Sequence, residues 1–250
     1  MLSLHISGHD VTPTAPWLRA ENLAAGYGDV LVIDGVCIEV GQGEVVTIIG
    51  PNGAGKSTVL KALAGVIPVR DGKVSVGEDT ISGRRADQIA RLGVGYVPQI
   101  RDVFTKLTVT ENLELGGCTR KSSDTNRLME AVFGIFPGLA QMRTRRAGQL
   151  SGGERKMLAI GRVLMMEPSV LLLDEPTANL SPIVAKSLLH EHVTSMAKTG
   201  VAMLIVEQRA MEALAVSDRA YLMVGGKVVL TDESSSLLRR DDIGELFLGR

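Results

Sequence analysis

The stretch GPNGAGKST, residues 50–58, constrains the fold of this chain more than any other part of its sequence. It follows VVTII (45–49), a short apolar run typical of a strand that is buried on both faces. It leads into a run of helix formers that Gly65 and Pro68 bring to an end. A strand, a Gly-rich loop and a helix in this order predict a phosphate site, because the loop N–H groups and the positive end of the helix face one centre.

The loop matches the pattern G-x-x-x-x-G-K-[ST] at every defined position. In such a loop Lys56 neutralises the charge of the β- and γ-phosphates, and the hydroxyl of Ser57 can bind Mg²⁺. A Gly-rich turn that arose by chance is the alternative, and the flanking strand and helix argue against it. The residues predicted to bind nucleotide here are Gly50, Pro51, Asn52, Gly53, Ala54, Gly55, Lys56, Ser57 and Thr58.

Two further apolar runs, VLLLD (170–174) and VAMLIV (201–206), predict more buried strands. The segment between them is predicted to be a helix, with Ser181 as its cap, Pro182 in its first turn and Gly200 just past its end. Strands that alternate with helices in this way predict an α/β fold with a parallel sheet.

The flanking segments predict other structures. ENLAAGY, VIDGVCIEV, KVSV and LMVGGKVVL have strand character with Gly turns, and the last contains a Gly-Gly turn suited to a hairpin. We expect antiparallel strands there, with Cys37 packed among its apolar neighbours. Residues from about 100 to 165 have a helical pattern, interrupted by the polar stretch 118–127.

Two acids, Asp174 and Glu175, stand at the end of the strand predicted at 170–174. Asp174, at the end of the strand, could hold the Mg²⁺ shell beside the phosphate loop. Glu175 projects in a different direction and could accept a proton from an attacking water as a general base. The alternative is that both acids merely cap the next segment.

A second candidate anion site lies in LSGGE (150–154). Ser151 and Glu154 match a capping box that opens a helix, and locally this interpretation is sufficient. It does not explain Gly152 and Gly153, which are poor helix formers in a first turn. Glycine there lets another backbone or a ligand come close, and a helix N-terminus with a hydroxyl can bind phosphate.

Composition limits the class of protein. Lys plus Arg number 27 against 28 Asp plus Glu, which gives no electrostatic reason to expect nucleic acid. The apolar runs are far shorter than the ~20 residues of a membrane helix. Two cysteines are too few for a disulfide framework and fit a reduced, intracellular compartment. The first 16 residues lack the features of a signal peptide, and we interpret them as a partly disordered leader (1–16) before a single domain at 17–250.

From about Leu18 to Gly249 the sequence resembles the ATP-binding subunits of ABC transporters. GPNGAGKST resembles the Walker A motif of this family, LLLDEP its Walker B motif and LSGGE its signature motif. The three motifs in this order are highly specific. The resemblance implies a P-loop NTPase with a RecA-like parallel sheet core, an antiparallel β subdomain and a helical subdomain at about 100–165. It also implies ATP and Mg²⁺ as cofactors.

In this family the signature motif of one subunit covers the γ-phosphate of the ATP that the P-loop of a second subunit binds. The resemblance therefore implies that Ser151, Gly152, Gly153 and Glu154 complete the nucleotide site of a second ATPase subunit, in a homodimer or a heterodimer. It explains why one chain carries two anion sites.

Further matches follow from the resemblance. Tyr27 is similar to the aromatic residue that stacks on adenine, although an ordinary aromatic at a strand edge is the alternative. Gln99 resembles the Q-loop glutamine that contacts Mg²⁺ and the attacking water, which makes Ser57, Gln99 and Asp174 the implied metal ligands. ANLSP (178–182) occupies the D-loop position, and the segment after Gln99 would face the transmembrane subunits.

Two residues depart from the family pattern. Gln208 stands where a switch histidine is usual, and Ser181 replaces the usual D-loop aspartate. Gln208 can donate a hydrogen bond to the γ-phosphate, but it cannot titrate near pH 7. We assign Gln208 to the catalytic set with Glu175 and Lys56, and these departures bring the hydrolysis rate and the coupling between sites into question.

The segments VEQ, ENLELGG and VFGIFPGL resemble the branched-chain amino acid importer ATPases of the LivF type. This implies a peripheral protein at the cytoplasmic face of the inner membrane, bound to transmembrane permease subunits and served indirectly by an extracytoplasmic solute-binding protein. Importers of urea, amides or other amino acids are alternatives. A soluble ABC protein acting on DNA or ribosomes and a regulator with little turnover are alternatives of other classes.

Overall fold

The computed structural model describes residues 17–100, 103–118 and 122–240, so the leader predicted at 1–16 lies outside the described residues. Ten strands occur in the described part of the chain. They are β1 Leu18–Tyr27, β2 Val30–Val40, β3 Val45–Ile49, β4 Val69–Val76, β5 Asp79–Thr80, β6 Val94–Val97, β7 Val170–Asp174, β8 Ala202–Val206, β9 Arg219–Val224 and β10 Lys227–Glu233.

Ten α-helices occur in the same described ranges. They are α1 Lys56–Leu63, α2 Ala86–Arg91, α3 Val109–Gly116, α4 Ser122–Ile135, α5 Pro137–Ala140, α6 Gly152–Leu164, α7 Pro182–Ser187, α8 Thr194–Ala197, α9 Ala210–Leu214 and α10 Ser234–Leu237. Among the described residues, no helix combines the length and the apolar composition that a membrane crossing requires.

A six-stranded sheet in the order β10-β9-β3-β8-β7-β6 forms the centre of the fold. All neighbouring pairs from β9 to β6 are parallel, and β10 pairs antiparallel with β9. The three apolar runs predicted as buried strands become β3, β7 and β8, and every residue in these strands is buried. The predicted parallel α/β core is confirmed.

The predicted antiparallel strands are also present. The second sheet has the order β2-β1-β4-β5 with antiparallel pairing throughout. The Gly-Gly turn joins β9 to β10, where Gly225 and Gly226 have φ of 55° and 81°. Positive φ at both central residues is what a tight type I′ hairpin needs.

The expectation that Cys37 packs in the core is wrong. Cys37 is exposed, and its sulfur accepts a hydrogen bond from the backbone N–H of Asn22 at 3.3 Å. Its neighbours Val36 and Ile38 are both buried. Side chains alternate between the faces of a strand, so Cys37 lies on the outward face of β2.

Two large hydrophobic cores meet at the six-stranded sheet, and a third, smaller cluster contains Ile49 of β3 and Leu222 of β9. One core joins the antiparallel sheet and α1 to Leu172 and Leu204. The other core contains residues of α3, α4, α5 and α6 and of the helices after β7, which pack with Leu171 and Leu173. Because β7 and β8 send alternate side chains into different cores, these strands are apolar at nearly every position.

The helix predicted between β7 and β8 contains an irregularity that the sequence did not indicate. Ser181 caps its start by accepting the N–H of Val184, and Gly200 has a φ of 90° past its end. Between α7 and α8, Leu188–Val193 form a π-helical segment. In this segment the ring of His192 lies 4.7 Å from the ring of Phe136, which follows α4.

Candidate active site

The loop between β3 and α1 is curled by three glycines. Gly50, Gly53 and Gly55 have φ of 150°, 80° and 94°, a region that other residues rarely adopt. A Cβ on Gly50 would clash with the carbonyl of Met223, and one on Gly55 would lie 2.6 Å from Ile33 Cγ2. Nothing lies within 4 Å of the corresponding point at Gly53. The loop is therefore packed on its inner side and open towards a cleft lined by 52–58, Val32 and Glu175.

Lys56 is buried at the start of α1, directly under this loop. Its ammonium donates to the carbonyl oxygens of Gly50 at 2.7 Å and Pro51 at 3.0 Å. Burial lowers the pKa of Lys56, and the carboxylates of Glu175 and Asp174 act against that shift. A cation is thus held at the loop in a position from which a phosphate oxygen can replace a carbonyl as its acceptor.

Oxygen atoms from α1 and from the neighbouring strands β6 and β7 meet at Asp174. The hydroxyl of Ser57 donates to Asp174 Oδ1 at 2.7 Å, and the hydroxyl of Tyr96 donates to Asp174 Oδ2 at 3.1 Å. Burial and the charge of Asp174 raise the pKa of Tyr96. Mg²⁺ prefers oxygen ligands such as hydroxyl and carboxylate groups, so the side chains of Ser57 and Asp174 fit that metal.

Glu175 is held by two side-chain amides. Gln99 Nε2 donates to its Oε2 at 2.6 Å, and Gln208 Nε2 donates to its Oε1 at 2.9 Å. Its backbone has a φ of 44°, uncommon for a residue other than glycine, and its N–H donates to the carbonyl of Val206 at 2.9 Å. The turn after β7 therefore directs the carboxylate away from Asp174 and between the two glutamines.

A third acid, Glu207, lies buried behind this arrangement. Its carboxylate accepts the backbone N–H groups of Thr177 at 2.8 Å and Gln208 at 3.2 Å. Burial raises the pKa of Glu207, and these hydrogen bonds act against that shift. Arg209 donates to the carbonyl of Leu180 at 3.1 Å, so the segment after β8 is bonded to the D-loop segment after β7.

The capping box predicted at LSGGE is present. Glu154 donates its N–H to Ser151 Oγ at 3.3 Å, and Ser151 donates its N–H to Glu154 Oε2 at 2.7 Å. The two glycines differ. A Cβ on Gly153 would lie 2.6 Å from Val184 Cγ1, whereas Gly152 is exposed and its nearest neighbour at that point is 3.7 Å away. Close packing against α7 accounts for Gly153, and Gly152 remains open to solvent.

The structure brings together the P-loop, Asp174, Glu175, Gln99 and Gln208 through the contacts described above. The hydrogen bonds found for 151–154, within the described ranges, do not lead to the P-loop. Tyr27 lies at the end of β1 with 46% of its surface exposed, and its hydroxyl accepts from Lys61 of α1 at 3.3 Å.

Three residues that form hydrogen bonds in or next to the candidate site were not predicted. Tyr96 lies on β6 and pairs with Leu172, two residues before Asp174 in the neighbouring strand β7. A polar side chain in this apolar strand was the feature of the sequence that could have identified it. Glu207 directly follows the buried strand β8, just as Glu175 directly follows the buried strand β7. This similarity of position could have identified Glu207 as a candidate. Lys156 on α6 gave no signal, because a lysine in a helix is usually solvated.

Comparisons of the sequence with known proteins all point to the same family. The profile of the ABC transporter family matches residues 33–178. The high-affinity branched-chain amino acid transport ATP-binding protein BraG of Pseudomonas aeruginosa is 39% identical over 93% of this chain and 99% of its own length. The probable branched-chain amino acid transport ATP-binding protein LivF of Archaeoglobus fulgidus is 36% identical over 93% and 98%. The lipopolysaccharide export ATP-binding protein LptB of Escherichia coli K12 is 32% identical over 93% and 97%.

Solved structures agree with the fold. An ATP-binding cassette of an ABC transporter in its ADP conformation superposes with a TM-score of 0.84, at 28% identity, over 95% of this chain and all of that one. A dimeric bacterial ABC transporter cassette superposes with a TM-score of 0.77 over 89% of this chain and 99% of that one, and its 22% identity supports the fold alone.

Proposed function

Because the chain belongs to the ABC transporter family, whose ATP-binding cassettes hydrolyse ATP to drive transport, we propose that it energises an importer of branched-chain amino acids. The main support for hydrolysis is the position of Glu175. Its carboxylate lines the P-loop cleft and accepts hydrogen bonds from two side-chain amides. The solute class is supported by the likeness to BraG, at 39% identity, and to LivF.

Each group of residues in the site has its own role in the reaction. The backbone N–H groups of the loop 50–58, which every residue there except Pro51 carries, bind the phosphates together with the ammonium of Lys56, which neutralises their charge. Glu175 accepts a proton from the attacking water, and Gln99 and Gln208 hold its carboxylate in place. Tyr27, at the exposed end of β1, stacks on adenine.

Mg²⁺ fits the oxygen donors at the end of β7. Ser57 and Asp174 are already 2.7 Å apart, and the amide of Gln99 keeps its oxygen as an acceptor while its nitrogen donates to Glu175. These three residues would hold the ion, which when bound supplies positive charge against the β- and γ-phosphates.

A second ATPase subunit completes the site. Ser151 and Gly152 are exposed at the N-terminus of α6, and the capping box leaves further N–H groups of the first turn without an intrahelical acceptor. We propose that Ser151, Gly152, Gly153 and Glu154 cover the γ-phosphate in the partner's site, so that two subunits enclose two ATP molecules.

The subunit pair acts on transmembrane permease subunits from the cytoplasmic face of the membrane, and an extracytoplasmic binding protein delivers the solute to them. The exposed side chains of Ile100 and Phe104, which follow Gln99, support a contact of this segment with the permeases.

Reconstitution tests the function. The chain would be combined with permease subunits and a solute-binding protein and placed in vesicles, and phosphate release would be measured with leucine, urea or an amide. We expect leucine to stimulate release, and Lys56→Ala to abolish it. Stimulation by urea or an amide alone would favour the other importers, and no release with any solute would favour a regulator with little turnover.

A further inference from the structure

A buried lysine connects the signature helix to the Q-loop. Lys156 lies in the second turn of α6 and is only 4% exposed. Its ammonium donates to the carbonyl oxygens of Pro98 and Gln99, each at 3.2 Å. Lysine is among the residues least often buried, and a buried ammonium is stable only where charged or polar groups satisfy it. Lys156 therefore has a role inside the protein rather than on its surface.

The two carbonyls mark the point where the chain leaves the sheet. β6 ends at Val97, and Pro98 and Gln99 begin the segment that leads to α3. The amide of Gln99 donates to Glu175 at 2.6 Å. The two charge-assisted hydrogen bonds hold the peptide groups before and after the Gln99 Cα. They therefore limit the rotation of both peptide groups and, with it, the direction of the Gln99 side chain.

We propose that Lys156 is a positioning residue for hydrolysis: it fixes the backbone at Pro98 and Gln99 so that the Gln99 amide holds Glu175 in its catalytic orientation. This inference rests on the proposed role of Glu175 as the base.

The same lysine lies about 7.5 Å along the helix axis from Ser151, at the rise of an α-helix. A short rigid helix moves as one body, so a displacement of the N-terminus of α6 by the partner's nucleotide also moves the ammonium of Lys156. The chain of contacts from α6 to Gln99 to Glu175 thus links the nucleotide that α6 covers to the nucleotide that this subunit hydrolyses.

Steady-state phosphate release by the full chain tests this role. Lys156→Met should lower kcat by about 10- to 100-fold, because a small misplacement of a catalytic group can have an effect of that size, and should leave the KM for ATP unchanged. Lys156→Gln, which keeps a donor but loses the charge, should recover part of the rate. Lys198→Met, at an exposed position after α8, should leave kcat unchanged.

A double-mutant cycle with Gln99→Ala separates positioning from a merely structural effect. If Lys156 acts through Gln99, then Lys156→Met should cause little further loss of kcat in the Gln99→Ala background. If Lys156→Met does not fold, as judged by thermal melting, Lys156→Gln takes its place in the cycle.

Three results would overturn the inference alone, provided that the wild type hydrolyses ATP. They are an unchanged kcat in Lys156→Met, a raised KM with unchanged kcat, and an equal fold loss with and without Gln99. A wild type that releases no phosphate under any condition would overturn the proposed function as well.

Discussion

Glu175 is supported at both carboxylate oxygens by groups that do not titrate. Gln99 and Gln208 each donate one amide N–H to it, at 2.6 and 2.9 Å. An amide keeps its hydrogen-bond donors across the whole range in which proteins are folded. The support of Glu175 should therefore not change with pH, in contrast to a site where an imidazole stands in place of Gln208.

Gln208→His should add a pH-dependent step to phosphate release. The imidazole of the variant titrates around its ordinary pKa of about 6.5, raised by the neighbouring carboxylate, so its charge changes within the working range. The measurement is kcat from pH 5.5 to 8.5 for both proteins. We expect a step near neutral pH in the variant that the wild type lacks, and identical profiles would contradict this role of Gln208.

At the scale of residues, the sequence indicated the side chains of the candidate site better than it indicated which of their atoms meet. The motif at 50–58 and the acids after a buried strand located Lys56, Ser57, Asp174 and Glu175. The contacts of Tyr96, Lys156 and Glu207 were not predictable, because each side chain reaches a neighbouring element whose distance the sequence does not give.

At the scale of elements, the packing of α6 on α7 depends on a missing side chain. Gly153→Ala would place a Cβ 2.6 Å from Val184 Cγ1, and a valine in a helix has little rotamer freedom with which to yield. We expect Gly153→Ala to lower the free energy of unfolding by about 1–3 kcal/mol.

Gly152→Ala is the matched control, since its Cβ meets nothing closer than 3.7 Å and alanine favours a helix by up to about 1 kcal/mol over glycine. Urea unfolding of both variants checks the difference. Equal stabilities would show that Val184 does not restrict this position.

The π-helical segment gives a pH-dependent contact with the helical part of the molecule. Burial lowers the pKa of His192 from its ordinary value of 6.5, although Glu191 and a backbone hydrogen bond at Ile135 oppose the shift. A group whose pKa is lower in the folded state favours folding above its unfolded pKa. That contribution is lost as the pH falls through the folded pKa.

We therefore expect the wild type to lose more stability than His192→Leu when the pH falls from 7 towards 5. His190→Leu, at an exposed position in the same segment, should follow the wild type. Unfolding by urea at several pH values measures this, and parallel curves for wild type and His192→Leu would refute it.

Strand and helix positions followed from periodicity and caps, as β3, β7, β8 and the capped starts of α6 and α7 demonstrate. The π-helical turn at 188–193 could not be predicted, because it contains neither Pro nor Gly and depends on packing. Cys37 was misplaced for a related reason: an apolar run does not reveal which residues of a strand face outward.

At the scale of the whole molecule, the proposed function requires that two copies of this cassette, or one copy and a related subunit, close the site together. Glu175→Gln removes the proposed base and keeps the ATP-binding loop. With ATP and Mg²⁺ the variant should elute at twice the 26.6 kDa of one chain, as measured by size-exclusion chromatography with light scattering.

Adding Ser151→Arg to Glu175→Gln should restore the monomer, because a long charged side chain would obstruct the exposed N-terminus of α6. A monomer for Glu175→Gln with ATP would be evidence against a site shared by two copies of this chain, and a dimer that survives Ser151→Arg would be evidence against a site that includes the N-terminus of α6.

The strands β7 and β8 each form a wall common to two cores, with Leu172 on one side and Leu171 and Leu173 on the other. An engineer who exchanged the helical half of this protein for that of a relative, in order to alter the permease contact proposed above, would have to transplant the side chains of β7 and β8 that face this half. The graft would then border directly on Asp174 and Glu175, so retargeting the subunit and preserving its turnover are one design problem rather than two.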